Sequence, residues 1–304
     1  MSAIFTVTQN LISLFKAKDI KLSLPNLKGL AEITASMSLN LTSNTSVIAN
    51  SLIFDYKNKD SEQRKVLRHL NSDFNNFSVW KNFISDFKTE DSIVLSIDQS
   101  EIGHNYAILM ISMNYQQRAI PIHWLVKEGK ANIGFNDYKH ILTEIYNYFN
   151  EFHKDKKVIL MADRFYACYE LVSWLNQSNF DYRLRLKSNV LVENSKSITK
   201  ISDLQKLTKF SEDNVDIFGL KTNLSWVSSE NHPEGWAIIS KTTSGEKTAQ
   251  DYSKRWSIEC MFSDFKSRGF EIRKTQIKKA IRLERMILFI SIAFWIFKQK
   301  KSKA

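Results

Sequence analysis

Apolar side chains recur at three- and four-residue spacing through the first 90 residues. Leu11, Leu14 and Phe15 form one such set and Ile48, Ala49, Leu52 and Ile53 another, which predicts short helices. Pro25 and Asn26 mark a break and a fresh helix start, and Ser61 caps a helix whose basic face carries Arg64, Lys65 and Arg68. With Ser, Thr and Asn between helices at Asn40–Ser46, residues 1–90 read as a helical N-terminal DNA-binding module. A bundle packed on a larger domain fits the same pattern equally well.

From residue 91 the period changes. Ile93–Ile97, Tyr106–Met113, Ala119–Val126, Val158–Met161 and Tyr182–Leu186 are short apolar or alternating runs, hence strands. Pro121 assigns the third run to a sheet edge, since proline cannot donate to a ladder. Tyr138–Phe152 and Tyr166–Leu175 carry the helical period between the later strands. Three hairpin-linked strands followed by β-α-β units predict an α/β fold, a ribonuclease-H-like mixed sheet with helices on its faces, over residues 91–304. Residues 188–247 alternate again, at Val215–Leu220, Leu224–Val227 and Trp236–Ile239, with a turn over 231–235. They read as a strand-rich insertion. Helical periodicity returns at Thr248–Lys266 and Ile277–Lys298.

Composition narrows the function. The chain has 304 residues, 43% hydrophobic and 25% charged, as in ordinary globular proteins. Its two cysteines, Cys168 and Cys260, have no zinc-ligand spacing, and Cys260 reads as packing. The first basic side chain is Lys16, so no secretory pattern opens the chain. The longest apolar run, Met286–Phe297, has 12 residues, too few for a membrane span and right for a buried helix. A cytoplasmic protein without membrane contact is expected. Net charge is +11, and residues 247–304 hold 15 basic against 5 acidic side chains. That asymmetry points to a surface for nucleic acid.

Two carboxylates end predicted strands: Asp98 after Ile93–Ile97 and Asp163 after Val158–Ala162. Open α/β sheets place their sites at such ends, although an isolated aspartate there is more often a turn former. A third element is sharper. Tyr252, Arg255, Glu259 and Lys266 are spaced by 3, 4 and 7 residues. On a regular helix they fall within an arc of roughly 60°. Random sequence of this length yields the pattern roughly twice in a thousand cases. An amphipathic helix with an Arg255–Glu259 pair is the plain alternative. Ile258, Met261 and Phe265 would pack on the sheet. His104 reads as a strand-edge residue, and Glu101 and Glu170 as solvated.

With these residues the chain resembles the DDE transposases of bacterial insertion sequences, specifically the insertion-sequence-four family with its Y-R-E-K signature. The matching segments are Ile-Asp-Gln-Ser around Asp98, Met-Ala-Asp-Arg-Phe around Asp163, and Tyr-Ser-Lys-Arg-Trp-Ser-Ile-Glu from Tyr252 to Glu259, with Lys266 beyond. The resemblance spans roughly residues 25–297 and implies a ribonuclease-H-like core with a strand-rich insertion before the glutamate. It implies that Asp98, Asp163 and Glu259 hold two Mg²⁺ ions, with Mn²⁺ as a substitute. Carboxylate oxygens suit such hard cations, and a two-ion site stabilises both oxygens of an in-line displacement. Tyr252, Arg255 and Lys266 would hold strand phosphates, and Trp226 or Trp236 an extruded base during hairpin formation.

The implied activity is cut-and-paste transposition. The protein would bind terminal inverted repeats, cleave to release a 3′-OH and join it to target DNA, as a homodimer in the synaptic complex, in the bacterial cytoplasm at the nucleoid. Two rivals stay open: a DNA-binding protein without catalysis, and a structure-specific nuclease on the same fold.

Overall fold

The computed structural model describes residues 3–52, 59–87, 91–103, 105–195, 197–229 and 232–301; Ile53, His104 and Asn231 lie outside the described residues. Five helices open the chain: α1 (Ala3–Ala17), α2 (Leu24–Asn40), α3 (Thr45–Ser51), α4 (Lys59–Leu70) and α5 (Asn76–Ile84). Pro25 stands in the first turn of α2, where its missing N–H costs nothing. The Asn44 side chain caps α3 by accepting from the amides of Ser46 and Val47, at 3.0 and 3.3 Å.

The sheet follows. Strands β1 (Ser92–Ile102), β2 (Tyr106–Tyr115) and β3 (Arg118–Glu128) form an antiparallel meander. Helix α6 (Phe135–Phe152) leads to β4 (Lys157–Ala162), and α7 (Tyr169–Gln177) to β5 (Asp181–Arg185). Both β4 and β5 run parallel to β1, giving the order β3-β2-β1-β4-β5 of a ribonuclease-H-like core. Strand β3 is the edge, as Pro121 requires, and the register shifts beside that proline. Strand β1 runs five residues beyond the predicted end at Ile97, because its hairpin with β2 continues after its pairing with β4 stops. Asp98 therefore lies within a strand, one residue past the Ile97–Ala162 pair.

The insertion adds β6 (Leu191–Glu193), β7 (Ile198–Lys200), β8 (Lys209–Ile217), β9 (Leu220–Ser229) and β10 (His232–Ser240). It extends the core sheet to ten strands by pairing β10 antiparallel to β5. The run Val215–Leu220 is no single strand: Phe218 and Gly219, with φ of 60° and 73°, make the tight turn between β8 and β9. Nor is 231–235 a plain turn, since β10 begins at His232 and is irregular up to Trp236. Asp181 staples the seam between core and insertion. Its carboxylate accepts from Lys157 and Arg183 at 3.0 Å each and from the Thr242 hydroxyl at 2.7 Å. Burial opposes its charge, but Arg183, Thr242 and Lys157 outweigh that and hold its pKa down at about 2.

Beyond β10 come α8 (Glu246–Asp251), a 3₁₀ turn over Tyr252–Arg255, α9 (Trp256–Ser263), a π turn over Asp264–Arg268, and α10 (Ala280–Lys301). The segment expected as one regular helix over Thr248–Lys266 is thus wound three ways. Helix α10 starts three residues later than its periodicity predicts and buries Met286–Ile290, Ile292 and Ala293 almost completely. Among the described residues no helix is long and apolar enough to cross a membrane. Helix α10 packs against α2, α4, α5 and β3, so one hydrophobic core joins the N-terminal helices to the sheet. Trp80 of α5 donates its indole N–H to the Pro121 carbonyl at 2.7 Å. Part of the C-terminal positive charge is structural. Arg285, 2% exposed, donates to the carbonyls of Ser72 and Phe74 at 2.8 and 2.6 Å.

Gly29 of α2 makes room for the His69 ring of α4, which lies 2.2 Å from where a Cβ would stand. Burial, then the charges of Lys65 and Arg68, push the His69 pKa from 6.5 down to about 4. A depressed folded-state pKa means stability present above the unfolded value and lost as pH falls from 6.5 toward 4. Thermal unfolding of His69→Gln is therefore expected to show a smaller drop in Tm over that window than the parent chain. Parallel curves would mean that His69 does not titrate at this interface.

Candidate active site

Register brings the first two acids together. Ile97 pairs with Ala162, so Asp98 of β1 and Asp163, the residue after β4, stand on neighbouring strands at the same level. Alternation along β1 puts Asp98 on the same face as Val94 and Ser96. Helix α9 lies over the meander with Ile258, Met261, Phe262 and Phe265 buried, as the apolar spacing predicts for three of them. The Asn114 side chain of β2 tethers it by donating to the Lys254 carbonyl at 3.2 Å and the Ser257 hydroxyl at 3.4 Å. Glu259 is thereby carried to Asp98.

The signature side chains face the acids. Arg255 donates to Asp98 at 3.1 Å and, through its other terminal nitrogen, to Glu259. The Tyr252 hydroxyl, in a residue 4% exposed, points to Asp163 at 3.4 Å. Burial raises the Asp98 pKa, opposed by Arg255 and the Gln99 amide and reinforced by Glu259. Burial also works against the Arg255 charge, but Tyr252, Asp98 and Glu259 outweigh it and push the guanidinium pKa up. Tyr252 and Arg255, expected to hold strand phosphates on the face of Glu259, are both turned onto the acids in this conformation. Lys266 lies in the π turn, not on the regular face drawn from spacing. Burial and Arg273 lower its pKa, while Glu101 and Asp98 oppose that, so its ammonium lies within the field of the site.

The remaining sequence candidates divide. Trp226 is 2% exposed and donates its indole N–H to the Leu207 carbonyl at 2.9 Å. Its ring lies where a Cβ on Gly235 would stand, 2.3 Å away, and Gly235 has φ of +63°. Trp226 is a core residue with no ring face open to a base, which corrects its assignment as a stacking platform. Trp236 is half-buried and meets Tyr252 edge-on, ring centroids 5.5 Å apart, so it belongs to the site. On α4, Arg64 and Arg68 are exposed, whereas Lys65 is half-buried and paired with Glu32 of α2 at 3.4 Å. Cys260 is exposed, not packed as expected.

Two residues escaped the sequence reading. Tyr166, 7% exposed, stands beside both aspartates; its pKa is raised by burial and then by Asp98, Tyr138 and Asp163. It had been read as the start of a helix, but α7 begins at Tyr169 and Tyr166 closes the turn after Asp163, its amide donating to the Asp163 carbonyl at 2.9 Å. Gln99 ties the loop before α6 to the site, giving to the Ala131 carbonyl at 3.2 Å and accepting from the Ile133 amide at 2.9 Å. Its place next to Asp98 was the only signal.

Three carboxylates are the donors a hard divalent cation takes. Among the described residues, no three acidic, histidine or cysteine side chains are grouped to hold an ion as they stand. The Arg255 guanidinium fills the position between Asp98 and Glu259, a positive charge where a cation would sit. The donor chemistry fits a divalent ion once Arg255 turns out.

The sheet, in ribonuclease-H-like order, carries Asp98 within β1 and Asp163 just after β4, with Glu259 of α9 joined to Asp98 through Arg255. The model of the Transposase DDE domain family matches residues 138–296, just over half of the chain, and the protein belongs to that family. The matched segment holds Asp163, Tyr252, Arg255, Glu259 and Lys266. No curated protein matches the chain in sequence. Among solved structures, the piggyBac transposase synaptic complex with hairpin DNA is similar at 12% identity and TM-score 0.46, covering 98% of this chain and 73% of that one. Endonuclease V of Ciona intestinalis, bound to a DNA containing inosine, is similar at 10% identity and TM-score 0.33, covering 61% and 96%.

Proposed function

We propose that this chain is a transposase of the insertion-sequence-four type, which cuts the ends of its own element and joins them to target DNA. The observation that carries the reading is that Asp98 and Asp163 each follow the last paired residues, Ile97 and Ala162, of neighbouring strands, with Glu259 tied to Asp98 through Arg255. Asp98, Asp163 and Glu259 would hold divalent ions, Mg²⁺ or Mn²⁺, which when bound supply charge stabilisation to the attacking and leaving oxygens. Partial burial around Asp98 strengthens the charges in the site. Tyr252 orients Asp163. Arg255 exchanges its carboxylate partners for a phosphate of the incoming strand, its planar fork suiting both. Lys266 takes a neighbouring phosphate, and Trp236 takes a base. Residues 1–90 form the module that reads the inverted repeats, through Arg64 and Arg68 with Lys65 behind them. Residues 91–304 form the catalytic domain with its insertion at 188–247. Two copies work together in the synaptic complex, at the bacterial nucleoid.

End-labelled DNA carrying the element's inverted repeats tests this. The expected result is a nick releasing a 3′-OH, followed by joining to a second duplex, with Mg²⁺ or Mn²⁺ but not Ca²⁺, whose longer and looser coordination misplaces the reacting oxygens. A shift without any nick would make the chain a binding protein. Hydrolysis without joining would make it a nuclease.

A further inference from the structure

We infer that the cleft after α9, lined by Lys266, Arg273, Lys274 and Thr275, is a seat for DNA backbone phosphates that carries the strand from the acids toward the N-terminal helices. The inference rests on the reading just given and extends it to residues outside the signature. The cleft has a volume of about 540 Å³. At one end Lys266 feels the charges of Asp98 and Glu101. At the other, the wall is tied to the helical module: the Phe270 carbonyl accepts from the amide of Ser43, in the linker between α2 and α3, at 2.8 Å.

The wall is built, not incidental. Phe270 and Ile272 are buried at 4% and 0% exposure, which pins the segment on both sides of Glu271. Glu271 itself is held at φ of 52°, a conformation rare for a side-chain-bearing residue. A Cβ on Gly269 would meet the Asp264 carbonyl oxygen at 2.9 Å, so only glycine lets the chain fold back there. This fold brings Arg273 near enough to Lys266 to disfavour its charge. Glu271, also on the cleft, is engaged by Lys274 at 2.6 Å. With Glu271 engaged by Lys274, the repulsion between Arg273 and Lys266 is one that a phosphate in the cleft would relieve. Lys278 and Lys279, both exposed, prolong the positive edge toward α10. A polyanion with a charge every few ångströms suits this track better than a single small anion.

The experiment measures binding of the full chain to element-end DNA and to an unrelated duplex across a salt series, for the parent, Arg273→Gln, Lys274→Gln and the double variant. Each lost phosphate contact is expected to flatten the slope of log K against log salt by about one, on both DNAs, so the double variant loses about two. Arg273→Lys should restore most of its share, and Lys139→Gln, an exposed lysine of α6, should leave the slope unchanged. Unaltered Tm would show that the variants fold. Slopes equal to the parent's on both DNAs would overturn the inference. Slopes that flatten as expected in a chain that never nicks would support the cleft and overturn the transposase reading instead.

Discussion

Glu259→Gln, Asp98→Asn and Asp163→Asn are each expected to lower nicking of the element end by about a thousandfold or more, while binding of that end changes less than threefold. Each substitution removes one negative charge from the acids proposed to hold the divalent ions and leaves the side chain's volume in place. The charge stabilisation given up is worth several kcal/mol, and every ~1.4 kcal/mol is tenfold in rate. End binding should survive because the contacts that bring DNA to the protein lie on positive side chains elsewhere. For Glu259→Gln, loss of the charge also frees one branch of Arg255, so binding is expected to hold or to tighten slightly. Single-turnover cleavage at saturating DNA, beside a gel-shift titration, checks both halves. A Glu259→Gln protein that nicks at the parent rate would remove the glutamate from the chemistry.

Arg255→Ala is expected to lower cleavage by about a hundredfold, with a loss that deepens at acid pH. Removing one well-placed donor from a site of this kind costs about 10²–10³. The pH dependence follows from Asp98. Burial already raises its pKa, and Arg255 is the largest opposing influence. Without the guanidinium the Asp98 pKa rises further, so the carboxylate is protonated at a higher pH. The acid limb of the second-order cleavage profile, measured at sub-saturating DNA where it reports the free protein, should therefore move to higher pH in Arg255→Ala. Arg255→Lys should restore the limb, since a positive charge suffices for that, but not the rate, since a point charge cannot replace the two-pronged fork. An acid limb at the parent's position in Arg255→Ala, at any rate, would show that Arg255 does not govern Asp98.

Much of the chain was legible because the forces that set it are local. Short apolar or alternating runs located all five core strands, since strands covered on both faces read as near-continuous apolar stretches whatever they pair with. Pro121 announced the edge strand for an equally local reason, the missing amide hydrogen. The apolar spacing of Ile258, Met261 and Phe265 marked the buried face of α9, and the run Met286–Phe297 marked the buried helix. The acids were legible as residue types at strand ends and on a helix, though not as a cluster.

Misreadings arose wherever a partner distant in sequence decided the outcome. Strand β1 outruns its own apolar run because β2 continues to pair with it. The tight turn at Phe218 and Gly219 hides inside an alternating run, since the apolar pattern does not record a reversal of direction. Trp226 looked available to a base until Gly235, nine residues on, gave its ring a place in the core. Lys65 looked like a DNA contact until α2 brought Glu32 against it.

The sequence by itself determined the class of fold and the grouping of Tyr252, Arg255 and Glu259 on one short segment, and it singled out Asp98, Asp163 and Glu259 as candidates, because helical and strand periods and a fixed spacing are properties of short segments. Tertiary structure alone decided that Asp98 and Asp163 stand level on neighbouring strands, that Arg255 spans Asp98 and Glu259 from 157 residues away, that the insertion prolongs the core sheet, and that Lys266 and Arg273 share one cleft. Register, strand pairing and the meeting of charges depend on which surfaces come together on folding, and nothing in a local pattern specifies that.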